Sequence, residues 1–179
     1  MTLDIRWLAP VAIIAVAATP GFAAQYMSVE QARALIFAQA QEFVAAPVSL
    51  TAEQIQRLTQ QSGVDVRSAH FKVWQAQAAG KFLGWFILDQ VIGKHEYMTY
   101  ALGINPDGTL RQFQIVEYRE AYGHQVRELK WRDQFVGKTI ADKLEVGADI
   151  ANISGATLSC RHLTDGIKQL LALHHNVLR

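Results

Sequence analysis

The residues from 153 to 159 combine hydroxyl side chains with small neighbours just before a predicted helix; they read Ile-Ser-Gly-Ala-Thr-Leu-Ser. A helix that starts near Ser159 is predicted because apolar residues and one histidine recur there at helical spacing. These residues are Leu158, Leu163, Ile167, Leu170, Leu171 and His174. A small-residue loop entering a helix leaves backbone N–H groups unpaired at the positive end of the helix dipole, which suits a phosphate. An ordinary capped helix is the alternative that this pattern leaves open.

The same helix carries other side chains with chemical potential. His174 and His175 at its end could ligate a haem or a metal, but a cation near a helix C-terminus is stabilising in its own right. Cys160, near the helix start, could have a thiol with a lowered pKa. It is the single cysteine of the chain, which excludes an internal disulfide, a cysteine-cluster metal site and a Cys-x-x-Cys-His haem motif. No metal site is predicted.

Composition limits the class of protein. The chain has 179 residues, enough for one domain with a sizeable core, and half of them are hydrophobic. Lysine and arginine number 17 against 16 aspartate and glutamate residues, which gives a formal charge of +1. A nucleic-acid binder would show a basic excess or stripe, so nucleic acid is excluded as a partner.

The first 23 residues are typical of a secretory signal peptide. Arg6 precedes an apolar run over residues 7–18, and Gly-Phe-Ala at 21–23 has the small residues of a cleavage site. The apolar run is shorter than the roughly 20 residues of a spanning helix, so an uncleaved N-terminal membrane anchor is the less favoured alternative. The mature chain is expected to start at Ala24 and to work outside the cytoplasm, in the periplasm.

Two helices are predicted before residue 66. Ser28 and Gln31 form a capping box for the first, whose apolar stripe is expected to run on through Phe43 and Val44 and to stop at Pro47. A second capping box at 51–54 opens the other helix, which a glycine at position 63 closes.

From residue 66 the period of the apolar residues changes to two, which predicts four strands. They are centred on 71–74, 82–88, 98–104 and 110–117, with turns at Ala79-Gly80 and at the Asn-Pro-Asp-Gly of 105–108. Strands joined by short turns form an antiparallel meander. The predicted fold class is therefore α+β: N-terminal helices, an antiparallel β-meander and a C-terminal helix that follows the 153–159 loop.

The loop and the helix behind it also resemble a known family. Ser-Gly-Ala-Thr at 154–157, followed by Leu-Ser and by Leu-Thr-Asp-Gly-Ile at 163–167, looks like the flavinylation motif of the FMN-binding domain family. That family includes the flavin subunits of the Rnf and Na⁺-pumping NADH:quinone reductase complexes and small secreted relatives. In it, the threonine closing the motif carries FMN through a phosphoester bond installed by a separate flavin transferase. The resemblance implies FMN on Thr157, whereas position alone leaves Ser154 and Ser159 open.

Further segments resemble the family in the same order along the chain. Glu120 followed by Gly123 is similar to the Glu-x-x-Gly segment that lies beside the flavin ring, and a Phe-x-Gly-Lys-type segment ends the stretch 131–138. Asp149-Ile150 before the motif also fits. The cofactor-binding residues that the resemblance implies are Thr157, Ser154, Gly155, Ala156, Leu158, Glu120, Tyr122 and Gly123. The implied division is 1–23 as signal peptide, 24–65 as an N-terminal helical segment and 66–179 as the FMN-binding domain.

The resemblance also sets expectations for the chemistry near Thr157. Arg161 cannot accept a proton and a surface histidine such as His162 is commonplace, so the activating base and Mg²⁺ are expected from the transferase. Lys94 or His95, in a predicted hairpin turn, could reach the electron-rich edge of the flavin.

The function that the resemblance implies is electron transfer by an extracytoplasmic flavoprotein, between a membrane donor and an extracytoplasmic acceptor. The sequence shows no substrate-binding constellation, which favours an electron carrier over a free-standing enzyme. Two alternatives stay open: a reductase that acts directly on a small substrate through this FMN, and a flavin-free secreted binding module. Turnover of a soluble substrate would favour the first, and an intact mass without flavin would favour the second.

Overall fold

The computed structural model describes residues 24–120 and 123–179 of the chain. Four α-helices occur there: α1 (Val29–Ile36), α2 (Ala52–Ser62), α3 (Leu129–Arg132) and α4 (Thr157–Leu173). The strands are β1 (Ala24–Gln25), β2 (Glu42–Ala45), β3 (Val48–Ser49), β4 (His70–Ala78), β5 (Lys81–Ile92), β6 (Tyr97–Ile104) and β7 (Leu110–Tyr118). Two 3-10 turns, His124–Arg127 and Asp133–Phe135, flank α3, and a π-helical turn, His174–Leu178, follows α4. The predicted α+β class is confirmed.

The strands form one antiparallel sheet with the order β1-β7-β6-β5-β4-β2, and β3 also pairs with β4. Consecutive strands β4 to β7 are neighbours, as the meander requires. Pairing between β4 and β5 ends at Lys72 and Leu88, whereas pairing between β5 and β6 continues to Ile92 and Tyr97. The tip of the β5–β6 hairpin, residues 93–96, therefore lies beyond the end of the β4 ladder.

Helices cover both faces of this sheet. Tyr100 and Leu102 of β6 belong to the larger apolar cluster, which includes residues of α2 and α4, whereas Ala101 belongs to the smaller cluster with α1. This alternation follows from the two-residue period of a strand. Burying a side chain such as Leu102 contributes about 1.5–3 kcal/mol, so the larger cluster holds α4 firmly against the sheet.

Helix α4 approaches the sheet closely enough to bring its first turns beside the β5–β6 tip. A Cβ at Gly166 would lie 2.6 Å from the Tyr100 hydroxyl and 2.8 Å from Val91 Cγ1, so only glycine fits there. One turn earlier, the His162 ring nitrogen Nδ1 lies 2.6 Å from the Ile92 carbonyl oxygen. These contacts set the place of the helix N-terminus.

The predicted starts of the first two helices are confirmed, and so is the end of the second. Ser28 with Gln31, and Thr51 with Gln54, each form both hydrogen bonds of a capping box. Gly63 closes α2 in the left-handed conformation, with φ of +67°. These features are local in the chain, which is why the sequence reveals them.

The expected continuation of the first helix through Val44 is wrong. α1 ends at Ile36, and Phe37 leaves helical geometry with φ −128° and ψ 65°. Phe43 lies instead in β2, where its ring packs edge-on against Phe86 at 5.7 Å between centroids. β2 pairs with β4, and this pairing outweighs the helical spacing of the apolar residues that predicted a longer first helix.

The predicted signal peptide, residues 1–23, lies outside the described residues, and so does Tyr122. Within 24–120 and 123–179, no helix has the length and apolar character needed to cross a membrane.

Candidate functional site

The helix that follows the small-residue loop starts without a side-chain cap. Ala156 is its N-cap residue, and the first helical hydrogen bond runs from the Cys160 N–H to the Ala156 carbonyl oxygen at 2.9 Å. Among the described residues, the N–H groups of Thr157, Leu158 and Ser159 have no acceptor. The ordinary capped helix is therefore not what forms here. Three unpaired donors at the positive end of a 17-residue helix suit an anion such as a phosphate.

A left-handed glycine creates the turn into this helix. Gly155 has φ of +82°, and a Cβ at this position would meet nothing within 4 Å. Glycine is thus favoured there by its backbone conformation rather than by lack of space. The loop around it is exposed, so the helix N-terminus is accessible from outside.

The three hydroxyl groups of the loop differ in accessibility. Thr157 is half-buried, and its Oγ1 accepts a hydrogen bond from the Asn152 side-chain amide at 3.1 Å. Ser159 is 4% exposed and its hydroxyl lies 3.4 Å from that of Tyr118. Ser154 is exposed. Burial therefore argues against Ser159 as the residue that would carry a phosphoester. Thr157 and Ser154 remain as candidates.

A cleft of about 370 Å³ lies over the start of α4. One wall is the stretch Gly155, Ala156, Thr157, Leu158 and Ser159, and the other is formed by Lys94, His95 and Glu120. Ser154 does not line it. This volume lies at the lower end of the roughly 300–1,000 Å³ range of small-molecule sites. The fold thus brings the 157 hydroxyl and the predicted residue Glu120 to one cleft, although 37 positions separate them in the sequence.

Leu158 faces this cleft rather than the core. Leu158 is 40% exposed and lines the cleft. The buried apolar residues of the helix begin with Cys160 and Leu163, and Ala156 before the helix belongs to the same cluster.

The carboxylate of Glu120 accepts hydrogen bonds from the protein backbone. Its Oε1 accepts hydrogen bonds from the N–H of His95 at 2.5 Å and of Glu96 at 3.0 Å. Burial raises the pKa of this carboxyl group, but hydrogen bonds from the backbone of Glu96, His95 and Lys94 outweigh burial and leave the pKa below its ordinary value. Glu120 is therefore ionised at neutral pH and holds the β5–β6 turn on the cleft wall.

Gly123 packs directly against the small-residue loop. Its φ is +85°, and a Cβ there would lie 2.7 Å from the Cβ of Ala156 and 2.7 Å from the Tyr118 hydroxyl oxygen. Only glycine permits this approach, which places Gly123 beside the loop.

The other matching segments anchor the chain that leads into the loop. The indole N–H of Trp131 donates to the Ala151 carbonyl at 2.7 Å, and the Ala151 N–H donates to the Gln134 side chain at 2.7 Å. Lys138 Nζ lies 2.9 Å from Asp149 Oδ2. Burial raises the Asp149 pKa, but this bond and backbone N–H donors lower it to about 2.

Cys160 is not a reactive thiol in this structure, and His174 and His175 do not form a shared ligand site. Cys160 is fully buried, and burial raises the pKa of its thiol, so the expected lowering is wrong. His174 is 3% exposed while His175 faces solvent, so the two rings do not converge. In the described part of the chain, no group of three or more His, Cys, Asp or Glu side chains could hold a metal ion.

A second cleft, of about 390 Å³, lies farther along α4. It is lined by Arg67, Asp89 and Gln169 among others, and it contains none of the residues that the sequence predicts for the cofactor. Sequence reasoning missed Asn152, which does not line the first cleft but donates to the Thr157 hydroxyl; this contact depends on the turn at Gly155 and has no sequence signal of its own.

Comparison with known proteins identifies the domain that forms the cleft. Among solved structures, a crystal structure of one subunit of the Na⁺-translocating NADH-quinone reductase from Parabacteroides distasonis is similar, at a TM-score of 0.43 and 13% identity over 72% of this chain and 78% of that one. The curated proteins contain no match. The family model of the FMN-binding domain matches residues 93–172, which include both walls of the cleft. The match confirms the resemblance seen in the sequence: residues 93–172 are similar to the FMN-binding domain family.

Proposed function

We propose that this protein is an extracytoplasmic flavoprotein that carries FMN covalently on Thr157 and transfers electrons between a membrane donor and an extracytoplasmic acceptor. The observation that carries the proposal is the half-exposed Thr157 hydroxyl at an uncapped helix N-terminus, inside a cleft of an FMN-binding domain.

The residues present fit a phosphate ester at this position. The unpaired N–H groups of Thr157, Leu158 and Ser159 are anion donors, and Gly155 leaves the approach to them open. The helix dipole favours the phosphate by about 0.3–1 kcal/mol, which is too little to retain a cofactor outside the cell. A covalent bond solves this retention problem. The bound flavin supplies the redox chemistry, and the protein supplies its position and electrostatic surroundings.

The geometry favours attachment by a separate enzyme. Thr157 Oγ1 accepts a hydrogen bond from the Asn152 amide, and an amide cannot act as a base. The carboxylate of Glu120 lines the cleft, but it is held by two backbone N–H groups and its pKa is low. A weak base committed to other bonds is unsuited to activating a threonine hydroxyl. A flavin transferase is therefore the expected maturation partner.

An electron carrier fits this cleft better than a reductase of a small substrate. Beyond Glu120, the titratable side chains of its lining are Lys94 and His95, and the sequence shows no substrate-binding constellation beside them; a reductase would have to use one of these two as its acid or base. The extracytoplasmic location rests on the Arg6, apolar-run and cleavage-site pattern of the first 23 residues.

Co-expression with a flavin transferase tests the proposal. Intact mass spectrometry should show a gain equal to FMN less one water, because the threonine hydroxyl and the phosphate join with loss of water. Thr157→Val keeps the side-chain shape and should abolish the gain, whereas Thr157→Ser should retain part of it. Ser154→Ala is the matched control and should be modified like the wild type.

Two outcomes would count against the proposal in different ways. FMN found on Ser154 by tandem mass spectrometry would move the site and leave the class intact. A wild-type protein that carries no flavin after expression with an active transferase would refute the flavoprotein itself.

A further inference from the structure

The turn at the tip of the β5–β6 hairpin forms the wall of the cleft opposite Thr157. The Gly93 N–H donates to the Glu96 carbonyl oxygen at 2.7 Å, which closes the turn, and Lys94 and His95 between them line the cleft. The turn lies beyond the end of the β4 ladder, so within the sheet it is held only by the pairing of β5 with β6.

Glu120 supplies the support that the sheet does not. Its carboxylate accepts from two successive backbone N–H groups of the turn, those of His95 and Glu96. Hydrogen bonds to an ionised acceptor are stronger than neutral ones. One side chain thus joins the segment after β7 to the segment after β5, and both segments border the cleft.

Gly93 makes room for this carboxylate. A Cβ at position 93 would lie 2.5 Å from Glu120 Oε1 and 2.9 Å from its Cγ. Space rather than backbone conformation favours glycine here, since its φ does not lie in the left-handed region and a Cβ would displace the Glu120 side chain. The close fit indicates that the turn and the carboxylate are packed as one unit.

Charge on this wall suits a reduced flavin. Lys94 is a cationic residue in the lining of the cleft, and the negative charge of Glu120 is directed at backbone N–H groups. A flavin gains negative charge on its pyrimidine side when it takes up electrons, and a nearby cation stabilises that charge.

We infer that Glu120 is a positioning residue that clamps the 93–96 turn, and that the clamped turn holds Lys94 against the flavin, where its ammonium group stabilises the reduced form. This inference rests on the proposed attachment of FMN to Thr157. It assigns Glu120 a role through the turn, whereas the resemblance implies only that its segment lies beside the ring.

The clamp is tested without flavin, in Thr157→Val protein. Glu120→Ala should make the amide hydrogens of His95 and Glu96 exchange faster by roughly tenfold or more, because each loses a hydrogen bond to a charged group. Glu120→Gln, which retains an oxygen acceptor, should give a smaller increase and covers the case in which the alanine variant does not fold. Glu128→Ala is the control, since this exposed side chain makes no capping bond. Unchanged exchange in both Glu120 variants overturns the clamp.

The role of Lys94 is tested in flavin-loaded protein by the midpoint reduction potential. Lys94→Gln should lower the potential, because the reduced flavin loses its nearby cation, and the same substitution should lower it less in a Glu120→Gln background, where the turn is no longer clamped. Lys130→Gln, on the exposed side of α3, is the charge-matched control. A midpoint potential that stays at the wild-type value in Lys94→Gln overturns the proposed role of Lys94. A wild type that accepts no FMN refutes the proposed function and the role of Lys94, while the exchange experiment still decides the clamp.

Discussion

Replacing Gly123 by alanine tests whether this residue supports the 153–159 loop. A Cβ there would lie 2.7 Å from both the Ala156 Cβ and the Tyr118 hydroxyl oxygen, at a φ of +85°. Gly137 is a matched control, because its φ is +80° and a Cβ at that position meets nothing within 4 Å. Both alanine variants carry the same backbone strain, and only Gly123→Ala adds a steric overlap.

The size of the effect follows from these two terms. A left-handed non-glycine residue costs about 1–2 kcal/mol, which is the whole expected loss for Gly137→Ala. Inserting a methyl group into packed surroundings costs about 1–3 kcal/mol more. Gly123→Ala should therefore lower the free energy of unfolding by about 2–5 kcal/mol. A domain with a typical stability of about 5–15 kcal/mol would remain folded.

The free energy of unfolding is measured by urea denaturation of flavin-free protein, followed by circular dichroism. Adding Ala156→Gly to Gly123→Ala removes one of the two overlaps and should restore part of the loss, which a double-mutant cycle reports. Losses for Gly123→Ala and Gly137→Ala that agree within about 0.5 kcal/mol would refute the reasoning. The loop would then have space that the structure does not show.

Two other predictions concern the approach to the loop and the start of the mature chain. The fall of the Asp149 pKa from 3.8 to about 2 corresponds to roughly 2.4 kcal/mol at most, and partial exposure of its pair with Lys138 reduces this to about 1–2 kcal/mol. Asp149→Asn should cost that amount at pH 7. The cost should shrink as the pH falls from 3.8 towards 2, because the wild-type carboxylate becomes protonated; an equal cost at pH 7 and pH 3 in urea titrations would contradict the ion pair. N-terminal sequencing of protein from its native compartment should begin at Ala24 or a residue on either side, whereas a full-length chain in the cytosol would contradict the signal peptide.

The features that sequence patterns predicted correctly are those that neighbouring residues determine. A capping box needs only two side chains three positions apart, so Ser28 and Thr51 marked helix starts reliably. The meander also followed from local signals, because a short turn places two successive strands side by side, where they pair antiparallel. The overrun of the first helix into Phe43 shows the limit of this reasoning. An apolar residue at helical spacing serves a strand equally well once a partner strand is present.

The cofactor site divides in the same way. The resemblance of the motif at 154–157 to the family's motif pointed to Thr157, whereas the small-residue loop and the helix start beside it left Ser154 and Ser159 open. Burial of Ser159 beneath Tyr118 and the clamp between Glu120 and the 93–96 turn needed the folded sheet. Each of these contacts joins residues at least 24 positions apart. Such pairs meet only when strands and helices pack, so the sequence alone determined the candidate acceptor and the tertiary structure decided its surroundings.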